Sequence, residues 1–271
     1  ERVKEGKSYR MDRVQKRGSV QDCLNELMQE LGGLYRHVFN AEWQRKQLQL
    51  LKADLPDGWA VAYLDFAENF LCKFQDEVQS AHWSYKQVTL FPSVLFYRCP
   101  NDGCQELRRD ELAFFSDDLK KDAAMSQKFI LDIMAHLKEK MEGGLKKIIL
   151  VSDGCAAQFK AKLPFLYLSH TEAGAGSHEV TVERVFFGSR HGKNDCDWSG
   201  GAIKRVITRD LASGSVCVRN AREMFTHCVK TLTLDSAAIS ECQHKTRQFA
   251  FLDEEVDRRV KSSSIATVPG S

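Results

Sequence analysis

Apolar positions in this chain change period near residue 55, and the change divides it. Before that point they recur at helical spacing. Ser19-Val20-Gln21-Asp22 reads as a capping box, and behind it come Val20, Cys23, Leu24, Leu27 and Leu31. Gly32-Gly33 is expected to end or kink that helix. A second helix over 35–53 carries Val38, Phe39, Trp43, Leu48 and Leu51. Leu55-Pro56-Asp57-Gly58 then signals a turn, while residues 1–18, rich in Lys and Arg, read as frayed.

Beyond the turn the pattern becomes that of strands. Trp59–Leu64 is a strand ending at Asp65, and Val88–Pro92 and Val94–Tyr97 are two more, rich in β-formers. Cys99–Cys104 is a turn at a loop tip, and Leu112–Phe115 completes an antiparallel set. A helix over 123–142 gathers Phe129, Ile130, Ile133, Met134 and Leu137 on one face, and Gly143-Gly144 closes it. Lys146–Val151 is a fully buried strand delivering Asp153. A short helix from Ala156 should stop or kink at Pro164, and 170–179 reads as an exposed loop. Val180–Gly188 is another strand, and helices follow over 196–211 and 218–232; the end, 262–271, reads as a polar tail.

This order predicts an α/β fold: a mixed five-stranded sheet with an antiparallel half and a parallel half, flanked by helices and preceded by a helical annex. The boundaries expected are 1–57 for the annex, 58–215 for the core, and 216–271 for a C-terminal helix and tail. A net charge of +2 excludes a basic nucleic-acid coat, so contact with a polyanion must come from local patches. No apolar run approaches the ~20 residues that span a bilayer, so no membrane partner is expected. Nine scattered cysteines predict a reducing compartment. The first residues are no signal peptide and, starting without Met, read as the interior of a longer chain.

The candidate chemistry is carboxylate. Asp65 and Asp153 both follow buried strands, and Asp197 follows a third. Carboxylates are costly to bury unpaired, so several converging at strand ends point to a shared divalent cation, as in two-metal phosphodiester chemistry. The alternative for each is a turn or helix cap. Asp195 rivals Asp197 as the third acid. His191 and Lys193, in His191-Gly192-Lys193-Asn194-Asp195-Cys196-Asp197, are candidates to orient water or neutralise phosphate. Lys204, Arg205 and Lys160 are candidate phosphate contacts, and Gly200-Gly201 would permit close approach. Glu68 and Asn69 either support the shell or sit on a solvated turn. Trp83 reads as core. Cys99 and Cys104 are candidates for half of a zinc site, but their spacing is loose and no second pair lies nearby, so they read as hairpin cysteines; Cys155 and Cys196 read as packing residues.

Taken together, Asp65-Phe66-Ala67-Glu68-Asn69, Ala81-His82-Trp83 with Gln87–Pro92, Ser152–Lys160, and Phe186-Phe187 through His191-Gly192-Lys193, Cys196-Asp197 and Lys204-Arg205 resemble the transposase-derived RNase H-like domains of animal genomes, of the DDE/D, Mutator-like type. The resemblance covers about residues 59–210. It implies an RNase H-like fold and a catalytic, metal-binding triad of Asp65, Asp153 and Asp197. It implies two Mg2+ or Mn2+ ions, DNA as substrate, strand cleavage and transfer, and a nuclear location, with a homodimer among the partners it allows. The chain departs from that pattern with Lys121 in place of a His and Trp198 in place of a Gly. Two further readings compete: a domesticated, inactive DNA- or protein-binding scaffold on the same fold, and an exonuclease that acts on free ends without strand transfer.

Overall fold

The computed structural model describes the backbone of 2–5 and 8–11, and all of 15–72, 85–167, 180–187, 195–234, 242–253 and 255–259. Two compact units divide at Trp43/Gln44, earlier than the expected boundary at 57. In the first unit, β1 (Arg2–Glu5) and β2 (Ser8–Met11) form an antiparallel pair where a frayed end was expected. Helix α1 (Val20–Ala53) begins there and continues into the second unit. The capping box is present: Asp22 N donates to Ser19 Oγ at 3.1 Å and Ser19 N to Asp22 Oδ2 at 2.9 Å. Gly32-Gly33 neither ends nor interrupts α1, so one helix replaces the two expected. Two glycines cost about 2 kcal/mol of propensity, which thirty-two other residues in one helix outweigh. Val20, Leu24, Leu27, Leu31 and Leu34 stand exposed on it.

The second unit holds a seven-stranded mixed sheet in the order β8-β7-β3-β5-β6-β9, with β4 beside β5. The strands are β3 (Trp59–Leu64), β4 (Phe70–Leu71), β5 (Gln87–Arg98), β6 (Leu107–Ser116), β7 (Lys147–Ser152), β8 (Thr181–Phe186) and β9 (Lys245–Phe251). β3, β5 and β6 are antiparallel neighbours; β7 and β8 run parallel to β3, and β9 parallel to β6. The antiparallel and parallel halves are as expected, and β4 and β9 raise five strands to seven. Residues 216–271 thus supply a sheet strand, within the same compact unit as the core.

β5 is one strand, although Pro92 suggested two. β3 pairs with β5 only as far as Ser93, so the neighbour that would need the amide at Pro92 has already ended. The pleat sorts the core. Ala60, Ala62 and Leu64 face α2 (Ala123–Lys140), where the rings of Phe91 and Phe114 stack on Phe129 at 4.7 and 4.8 Å. Val61, Tyr63, Ile149 and Val151 face the other way, towards Leu48 of α1 and Cys196 of α4 (Asp195–Ala212). On that face α4 and α5 (Ala221–Leu232) also bury Ile203, Ile207, Met224 and Cys228. Between β7 and β8 the chain turns at 156–159, and a helix, α3, is described over 162–167. Pro164 lies in the first turn of α3, where an absent N–H costs nothing, so it does not stop the helix. The expected loop 170–179, Gly188 and the tail 262–271 lie outside the described residues.

Two buried carboxylates hold the antiparallel half. Asp110 accepts from Tyr97 Oη at 2.6 Å and Thr246 Oγ1 at 2.7 Å. On the opposite face Glu111 accepts from Arg247 Nε at 2.9 Å, from Ser199 Oγ of α4 at 3.0 Å, and from Arg109. Although burial opposes ionisation, these bonds hold both acids below their ordinary values. No helix of the described residues is long and apolar enough to cross a membrane.

Candidate active site

β3 and β7 are adjacent parallel strands, in register with Tyr63 opposite Val151. Asp65 and Asp153 each stand two residues beyond that pair, so the register brings them out side by side at one edge of the sheet. Hydrophobic burial of both strands fixes this register, because a slip of one residue would turn every side chain to the wrong face. Helix α4 carries Asp197, the acid expected as the third. Cys196 is fully buried and its Sγ donates to Tyr63 O at 3.2 Å, docking the first turn of α4 on the end of β3. Gly200 sits against the neighbouring strand, where a Cβ would meet Pro92 Cγ at 3.3 Å and Ala67 Cβ at 3.4 Å. The close approach at Gly200 is to the side chains of Pro92 and Ala67, while a Cβ at Gly201 would meet nothing within 4 Å.

So placed, Asp197 shares a cavity of about 210 Å³ with Asp65, Glu68, Pro92, Gly201 and Lys204. Asp195 and Asp197 lie about 200° apart around the helix. Asp195 turns instead to Lys52 Nζ at 4.0 Å, and its charge acts on Tyr63. Geometry thus separates the two candidates left open by spacing, with Asp197 at the cavity. The electrostatics agree: burial first, then the charges of Asp153 and Asp197, push Asp65 up from 3.8 to about 7. Asp153 also accepts from Cys155 N at 3.1 Å, so the turn role and the cluster role coexist in one side chain.

Lys121, which departs from the family-like pattern, is part of this site. Its Nζ donates to Ala67 O at 2.6 Å, and burial, then Lys204, lower its pKa while Asp65 and Glu68 oppose the fall. Trp198 does not narrow the cavity: its ring, 59% exposed, lies under the Arg109 guanidinium with 5.6 Å to the centroid. Lys204 lines the cavity and Arg205 is exposed on the same helix. Lys160 is exposed and lies over the Phe186 ring at 5.3 Å. Asn69 Nδ2 donates to Gln87 Oε1 at 2.9 Å, tying the loop after β3 to β5. His191, Lys193, His82 and Trp83 lie outside the described residues.

The donor set around Asp65 is made of carboxylate oxygens. The nearby sulfur, Cys196, is engaged by Tyr63 O, and burial drives its thiol well above its ordinary value. Such a set suits hard divalent cations such as Mg2+ or Mn2+ and does not suit a thiolate-bound metal. Sequence reasoning singled out Lys121 as a departure from the family-like pattern and gave it no role in the site.

Fold and site define a mixed α/β protein with Asp65 and Asp153 at the ends of two parallel strands and a cavity that Asp65 shares with Asp197 of α4. The chain belongs to a family described as a domain of unknown function, DUF8701, whose family model matches residues 44–270. That match begins where the second compact unit begins, at Gln44. A search of curated proteins finds no match.

Proposed function

We propose that this domain is a transposase-derived RNase H-like core that cleaves and transfers DNA strands with divalent cations. The observation that carries the reading is Asp65 placed beside Asp153 by the register of β3 and β7 and sharing a cavity with Asp197, with burial first and then both charges raising Asp65. The antiparallel-then-parallel sheet, with β3 between β5 and β7, supports the RNase H-like assignment. Asp65, Asp153 and Asp197 would hold two Mg2+ or Mn2+ ions, which, when bound, activate a water or 3′-hydroxyl and stabilise the leaving oxygen. Lys204 at the cavity, Lys121 on the Ala67 carbonyl beside it, and the exposed Arg205 and Lys160 contact and neutralise DNA phosphates. His191 and Lys193, the remaining phosphate contacts of this reading, precede α4 in sequence and lie outside the described residues. A nuclear location follows from a DNA substrate. A homodimer partner follows from the exposed stripe Val20, Leu24, Leu27, Leu31 and Leu34, whose alternating steps of three and four match a coiled-coil seam.

The test is calorimetric titration of Mg2+ and Mn2+ into the wild type and Asp153→Asn, paired with nicking of a labelled duplex. Cation binding and nicking that both vanish in the variant support a catalytic core. Folded wild-type protein that binds neither ion, with or without DNA, overturns it and leaves a binding scaffold. Nicking confined to free ends, without strand transfer, identifies an exonuclease instead.

A further inference from the structure

A second constellation lies at the other end of the sheet. Cys99 follows β5, Cys104 closes the turn after it, and Cys242 and His244 precede β9. Cys104 and His244 are 140 positions apart in sequence, yet Cys104 Sγ and His244 Nε2 are 3.2 Å apart. Cys99 Sγ and Cys242 Sγ are separated by 3.9 Å. The four ligand atoms all fall within 4.8 Å of one another, and the cysteines form no disulfide. Cys99 and Cys104 lie at the β5–β6 hairpin tip, as expected, and the second pair that sequence did not show nearby is Cys242 and His244, which the pairing of β9 on β6 delivers there.

We propose that Cys99, Cys104, Cys242 and His244 bind one zinc ion as a closed structural site. Bonds of about 2.3 Å to sulfur and about 2.0 Å to nitrogen give tetrahedral edges of roughly 3.8 Å between sulfurs and roughly 3.5 Å from sulfur to nitrogen. The observed 3.9 and 3.2 Å bracket those edges. Three thiolates and an imidazole select zinc over hard cations, and four protein ligands leave no open position for a substrate. The surroundings are arranged for a thiolate set. Asn101 Nδ2 donates to Cys242 Sγ at 3.0 Å, and Cys104 N donates to Asn101 O at 3.1 Å, so Asn101 shapes the turn and orients a ligand together.

The site is separate from the carboxylates. Cys99 lies just past the Ala60↔Tyr97 pair, whereas Asp65 leaves the opposite end of β3. At about 3.3 Å per residue, the two sites are roughly 20 Å apart along the strand. The ion would clamp the β5–β6 hairpin tip to the start of β9, next to the bond from Arg109 N to His244 O at 2.8 Å. β9 is an edge strand that pairs only with β6 among the sheet strands, so it gains most from a covalent-strength anchor at its first residues. Because the sheet buries its own core, loss of the ion loosens β9 and does not unfold the domain, unlike a small zinc finger.

The experiment is elemental analysis of protein purified under reducing conditions, followed by thermal unfolding with and without a zinc chelator. About one zinc per chain is expected, with a melting temperature that falls on chelation and recovers when zinc is restored. Cobalt substitution should give the visible absorption of a tetrahedral thiolate site. Cys104→Ser and His244→Ala should lose the ion and the chelator response, and Asn101→Ala should weaken zinc affinity by roughly 10- to 100-fold. Should either ligand variant fail to fold, the chelator response and cobalt spectrum of the wild type decide. Wild-type protein without zinc and indifferent to its addition overturns the proposal.

Discussion

Replacing Asp65 with Asn removes a charge while keeping the shape of the side chain, and the structure fixes how the effect must depend on pH. Burial, then Asp153 and Asp197, lift Asp65 from 3.8 to about 7 in the folded protein. Below about pH 4 the group is neutral in both folded and unfolded chains and contributes nothing. Between about pH 4 and about pH 7 the folded protein holds a proton that the unfolded chain has released, so stability falls as pH rises. Above about pH 7 the penalty is complete. At about 1.4 kcal/mol per pH unit its ceiling is roughly 4 kcal/mol, which solvent screening of this half-buried group reduces to roughly 1–2 kcal/mol. Asp65→Asn should therefore stabilise the metal-free protein near pH 8, by about 3–6 °C in melting temperature for a unit of this size. The gap should close as the pH approaches 4. Thermal unfolding followed by circular dichroism in a chelating buffer, across that range, reads it. Addition of Mg2+ near pH 8 should raise the wild-type melting temperature, because a ligand that binds only the folded state stabilises it, and should leave the variant unmoved. A variant less stable than wild type near pH 8, or a gap that does not vary with pH, refutes the raised Asp65 that burial and the two neighbouring charges together produce.

Gly200→Ala places a methyl 3.3 Å from Pro92 Cγ and 3.4 Å from Ala67 Cβ, so α4 must shift. A cost of roughly 1–3 kcal/mol is expected, together with a weaker thermal response to Mg2+, because Asp197 moves with the helix. Glu111→Ala strands Arg109 and Arg247 and should cost roughly 3–5 kcal/mol in urea unfolding, whereas Glu111→Gln, which keeps part of the network, should cost less. Phe129→Ala opens a cavity between Phe91 and Phe114 and should cost about 3–5 kcal/mol by the same measurement. Gly58 has φ of 79° and a Cβ there would meet Gly144 O at 2.8 Å, so Gly58→Ala should lower the melting temperature while leaving cation binding unchanged.

The strands β3 and β7 and the helix α2 were legible because burial on one or both faces writes a period into the chain, and their boundaries fell close to those expected. Asp65 and Asp153 were legible as residues that follow such strands, whereas Asp197, expected at a strand end, lies in the first turn of α4. Local pattern is a poor guide where a feature's cost is settled elsewhere. Gly32-Gly33 and Pro92 carry breaker signals, yet thirty-two other residues of α1 and an absent neighbour of β5 make both tolerable. β4 and β9 were invisible because a strand on the margin of a sheet needs only a partner's edge, not a period of its own. The choice between Asp195 and Asp197 needed the rotation of α4, which Cys196 and Gly200 fix by packing. Lys121 enters the site through a bond to Ala67 O from a loop 54 positions away. The Cys99–His244 cluster is the clearest case. Its halves are each too short to signal a metal, and only the parallel pairing of β9 on β6 brings them together. Sequence determines which residues are able to do chemistry, because residue type sets charge and donor; the sheet's register decides which of them meet.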